Sequence, residues 1–60
     1  MGNTAFFTVD TSYGWTVFNS IVDCLTINQV YSIACELARD YKGCTVTAQW
    51  HGMAMVVVKD

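Results

Sequence analysis

The sequence predicts an α+β domain in the order β-β-α-β-β: a four-stranded, mainly antiparallel sheet with one amphipathic helix packed on one face. Three observations carry this. Residues 27–42 repeat apolar side chains at helical spacing behind a capping signal. Residues 44–59 form two alternating runs joined by His51-Gly52. Residues 4–10 alternate with Ala5, Phe7 and Val9 on one face and Phe6 and Thr8 on the other.

The helix is expected from Ile27 to Lys42. Thr26 can cap its first turn, and Gln29, three residues on, completes a capping box. Gly43 suits the left-handed position after the last turn, and Arg39 and Lys42 complement the dipole. At 100° per residue, Ile27, Val30, Tyr31, Ala34, Leu37, Ala38 and Tyr41 share one face. Glu36, Arg39 and Asp40 fall on the other.

Cys44–Trp50 and Met53–Lys59 read as a hairpin with a two-residue turn at His51-Gly52. That turn sets Trp50 opposite Met53, Ala48 opposite Met55 and Val46 opposite Val57, all beneath the helix. Thr45, Thr47 and Gln49 then share the outer face with Val58, Val56 and Ala54. The last strand is apolar on both sides, which suits a central strand or one covered by a second subunit. Near the N-terminus, Thr4–Asp10 is a strand and Asp10–Gly14 a loop. A second strand starts at Trp15 and runs to Phe18 or on to Val22, with Asn19-Ser20 as a bulge or a strand end.

Sixty residues make one domain, residues 1–60. Apolar residues are 53% of the chain, charged residues 13%, and the net charge is −2. That composition is not disordered. It lacks the basic excess of an electrostatic nucleic-acid binder, so nucleic acid is not an expected partner. No apolar run approaches a membrane span, and Met1-Gly2-Asn3-Thr4 has no basic n-region. A cytoplasmic protein without a membrane partner is expected.

Size scaling gives a folded surface of about 3,900 Å² against about 9,700 Å² unfolded. Apolar burial then contributes ~90 kcal/mol. Ordering sixty residues costs ~90 kcal/mol. A chain this small needs a disulfide, a metal or association. Cys24, Cys35 and Cys44 are odd in number, and their spacing fits no zinc pattern. They read as small hydrophobes in a reducing compartment. Association remains, and a homodimer is expected.

No catalytic set is visible, and no enzyme, cofactor or metal is expected. The one histidine, His51, falls in a turn, and the acids Asp10, Asp23, Glu36, Asp40 and Asp60 are scattered. Gly2, Gly14, Gly43 and Gly52 are isolated, so there is no phosphate loop. One helix shields one face of a sheet, which leaves Phe6, Phe18, Val56 and Val58 as the expected partner or dimer surface. Tyr13, Trp15 and Asn19 are the candidates for a partner- or ligand-binding loop. Trp50 and Met53, at the hairpin tip, are further candidate anchors, with the core as the competing place for both. The expected function is a non-enzymatic, homodimeric protein-binding module, an inhibitor or adaptor of a larger bacterial protein. By size it suits the anti-defence proteins that phages make against a host. The alternatives are a dimer that sequesters a nucleotide-like small molecule, or a small subunit of a larger complex.

Overall fold

The computed structural model describes residues 3–52 and 54–59. Its elements are β1 (Thr4–Asp10), β2 (Thr16–Asp23), α1 (Ile27–Asp40), β3 (Thr45–Trp50) and β4 (Ala54–Lys59). One antiparallel sheet has the order β2-β1-β3-β4. The accessible surface, 3985 Å², agrees with the size scaling. Among the described residues, no helix is long and apolar enough to cross a membrane.

The alternation of β1 sets the layers. Ala5, Phe7 and Val9 are fully buried beneath the helix, and Phe6 points to the opposite side. Val46 and Ala48 of β3 join them, with Val30, Ala34 and Ala38 of α1 above. The small Ala34 and Ala38 let the helix settle close to the sheet. The helix lies over β3 and β4, reaches β1 at its margin, and its backbone does not approach β2.

The capping box at the helix start is as expected. Gln29 N–H donates to Thr26 Oγ1 at 3.3 Å, and Thr26 N–H donates to Gln29 Oε1 at 3.3 Å. The helix ends earlier than the pattern suggests, at Asp40 with Tyr41 as its cap. Tyr41 N–H still bonds the Leu37 carbonyl at 2.8 Å. Gly43 takes the positive φ of +84° that lets the chain turn into β3.

Two parts of the sheet differ from expectation. First, β2 runs straight through Asn19 and Ser20, and the bulge falls at Val17 instead. Val9 pairs with Phe18 and Asp10 with Thr16, so Val17 is the extra residue. Phe18 sits opposite Val9 and therefore shares its core-facing side. There it stacks on Tyr41, centroids 5.6 Å apart, and packs against the core. Second, the β3–β4 register is one residue away from the two-residue-turn register. Trp50 pairs with Ala54, Ala48 with Val56 and Val46 with Val58. His51 and Gly52 both have positive φ, as in a tight hairpin turn, but the connection holds three residues. Since strand side chains alternate, one residue of slip reverses every one of them. Val56 is buried and Val58 half-buried on the helix side, while Met55 and Val57 are exposed on the other. Phe18, Val56 and Val58 are thus core-side residues, not members of the open face. Met53, expected opposite Trp50, lies outside the described residues.

Candidate functional site: the open sheet face

Cross-strand register builds the open face row by row. One row reads Ile21, Phe6, Gln49, Met55, and the next reads Asn19, Thr8, Thr47, Val57. A third reads Thr16, Asp10, Thr45, Lys59. Phe6 is 43% exposed, Ile21 67%, Met55 62% and Val57 59%. No helix or loop of the described residues covers them. They form two apolar pairs, Phe6–Ile21 and Met55–Val57, separated by Gln49 and Thr47 of β3, with polar groups at the rim. Thr4 Oγ1 donates to Asp23 Oδ1 at 3.2 Å, and Thr16 Oγ1 donates to Asp10 Oδ1 at 2.6 Å. The two carboxylates are thereby tied to their own sheet at the rim. Exposed apolar pairs interspersed with neutral polar residues and rimmed by tied carboxylates make a surface suited to protein binding.

Of the residues singled out from sequence, Phe6 alone of its group lies on this face. Ile21, Met55 and Val57 were not anticipated. Ile21 was hidden because β2 carries apolar residues on both sides, with Phe18 and Val22 facing the other way. Met55 and Val57 were hidden by the register.

The β1–β2 connection holds a second aromatic feature. Thr11 organises it: its Oγ1 accepts from Tyr13 N–H at 3.2 Å and from Trp15 N–H at 3.4 Å. Its carbonyl accepts from Gly14 N–H at 3.0 Å, and Gly14 adopts φ +102° to close the turn. Tyr13 and Trp15 stack at 5.7 Å and stand 82% and 61% exposed. Asn19 is not with them. It sits on the open face beside Thr8, so the three do not form one pocket.

Trp50 is held rather than free. Its indole N–H is shared between the carbonyls of Asn3 at 3.2 Å and Cys24 at 3.3 Å, which fastens both ends of the β1–β2 hairpin to β3. His51 packs on its ring. An open groove of about 320 Å³ lies where the helix leaves β2 uncovered, between Asp23, Cys24, Asn28, Gln29, Ser32 and Ile33. Its one charged lining residue is an acid, which suits a phosphate-bearing ligand poorly. Tyr13, Trp15 and Asn19 do not line it.

The cysteines are unpaired: Cys24 buried, Cys35 exposed and Cys44 half-buried. Burial pushes the Cys24 thiol above its ordinary pKa, and neighbouring Asp23 pushes the same way. The folded state thus holds the Cys24 proton more tightly than the unfolded chain does. Its contribution to stability is intact below the ordinary thiol pKa of about 8.5 and falls away as pH rises above it. Under native conditions iodoacetamide is expected to modify Cys35 first and to leave Cys24 untouched until denaturant is added, as read by peptide mass spectrometry. Equal rates at Cys24 and Cys35 would contradict the packing. Among the described residues no three His, Cys, Asp or Glu side chains are grouped to hold a metal. No protein-family model, curated protein or solved structure matches this chain.

Proposed function

We propose that this protein is a small, non-enzymatic, homodimeric binding module that docks onto a larger protein through the open sheet face, as an inhibitor or adaptor. The observation that supports the reading is the exposure of Phe6, Ile21, Met55 and Val57 on one face, as the pairs Phe6–Ile21 and Met55–Val57 on either side of polar β3, with no described residue covering them. Single apolar residues on a surface are ordinary, but two large apolar pairs on the same uncovered sheet face point to an association site. The exposed Tyr13–Trp15 pair adds two of the residue types that most often anchor interfaces.

The test is comparative capture from cell lysate. The tagged protein should retain a specific larger protein, and Phe6→Lys and Ile21→Lys should each reduce that retention at least ten-fold while preserving the far-UV circular dichroism. Cys35→Ser, on the exposed side of the helix, is the control and should retain the partner. Retention unaffected by both lysines would remove the open face from the account.

A further inference from the structure

We propose that β4 is an interface strand: it pairs antiparallel with β4 of a second copy of this chain, joining two four-stranded sheets into one of eight. This deepens the proposed dimeric role by placing the contact at the sheet edge and leaving the open face free.

The two edges of the sheet are built differently. An edge strand presents unpaired backbone N–H and C=O groups, and proteins protect such edges with charges, bulges or prolines. β2 carries these safeguards: the bulge at Val17, polar Asn19 and Ser20 at mid-strand, and Asp23 at its end. β4 runs Met55, Val56, Val57, Val58 before its first charge at Lys59, with no bulge in its pairing to β3. Its composition is that of a strand flanked on both sides, yet the sheet order puts it outermost.

The helix supplies a second, independent observation. Gln29 and Ile33 border the groove on the β2 side of α1. At 100° per residue, Tyr31 falls on the opposite flank, toward the β4 edge. Tyr31 belongs to the apolar stripe of the helix, yet it stays 50% exposed. The apolar stripe is wider than the surface it buries, and the surplus lies on the side of the unguarded strand. Above the β4 edge is Tyr31, and below it are Met55 and Val57.

A second copy fits this edge by symmetry. A two-fold axis perpendicular to the sheet makes an antiparallel pair of identical strands and keeps like faces on like sides. Opposed residues must then share a face, so the axis passes through Val56 or Val57. The Val57 axis sets Lys59 opposite the partner's Met55, and neither axis sets it opposite its own copy, which avoids like-charge contact. Tyr31 of each helix then lies on the flank that faces the same axis.

Sedimentation equilibrium together with backbone hydrogen exchange tests this on the intact protein. The expected mass is twice the 6.7 kDa of the chain at micromolar concentration. The amides of Met55–Lys59 that point away from β3, every second one, should exchange at least ten-fold more slowly in the dimer than in dilute solution, with those of β2 unchanged. Tyr31→Lys, at an exposed helix position, should weaken the dimer at least ten-fold, whereas Phe6→Lys, on central β1, should leave it intact. A single-chain mass at several hundred micromolar overturns the proposal. So does a dimer whose β4 amides show no concentration dependence, or one that Phe6→Lys dissociates and Tyr31→Lys does not. A monomer that still loses its larger partner on Phe6→Lys would overturn the edge pairing alone and leave the open-face reading standing.

Discussion

Phe7→Ala is expected to leave the chain largely unfolded at 25 °C. Phe7 is the largest fully buried side chain of the central strand β1, packed between β3 and the helix. Truncating a buried phenylalanine costs about 3–5 kcal/mol, from lost transfer energy and the cavity left behind. At the usual stability per residue, a domain of this size has only about 3–9 kcal/mol in total. Its neighbour gives the control. Phe6 lies one residue away but on the open face, and Phe6→Ala should cost about 1 kcal/mol or less. Urea melts followed by tryptophan fluorescence separate the two. Equal losses would mean that the two faces of β1 are not distinct.

Val56→Asp and Val57→Asp form the second pair. Both place a poor strand former in β4, so the difference between them isolates burial. Val56 is 6% exposed beneath the helix, where a short carboxylate finds no partner. Its loss is expected at about 3 kcal/mol or more, enough to abolish the cooperative transition. Val57 is 59% exposed on the other side, and its replacement should cost about 1 kcal/mol in dilute solution. The two-residue-turn register would invert this order, so the pair of melts reads the register directly.

The register also explains what the sequence could and could not reveal. β1 was legible because its apolar side chains sort cleanly, with Ala5, Phe7 and Val9 all fully buried. The helix was legible because Thr26 and Gln29 mark its start, although its last expected turn gives way to a Tyr41 cap. The hairpin was legible as a hairpin but not in its facing. β4 is apolar at every position from Met55 to Val58, so hydrophobic alternation cannot choose between registers, and loop length decides. Phe18 was misplaced for a related reason. The bulge at Val17 and a five-residue connection fix its side, and neither has a strong sequence signature. The idea of an unshielded apolar face survives these changes, with Ile21, Met55 and Val57 in place of Phe18, Val56 and Val58.

That exchange has a physical consequence for association. The actual open face is bordered by Thr4, Asp10, Thr16 and Asp23, whose carboxylates are occupied by threonine hydroxyls rather than left to solvent alone. A partner can therefore cover the two apolar pairs without desolvating an unpartnered carboxylate at the rim.

Hydroxyl-radical footprinting of the dilute native protein, read residue by residue by mass spectrometry, tests the central claim most directly. The account predicts strong labelling of Ile21, Met55 and Val57, measurable labelling of Phe6, and protection of Phe7, Val46 and Val56. Labelling of Val56 with protection of Met55 and Val57 would contradict it, because the apolar face on which the binding role depends would then lie beneath the helix.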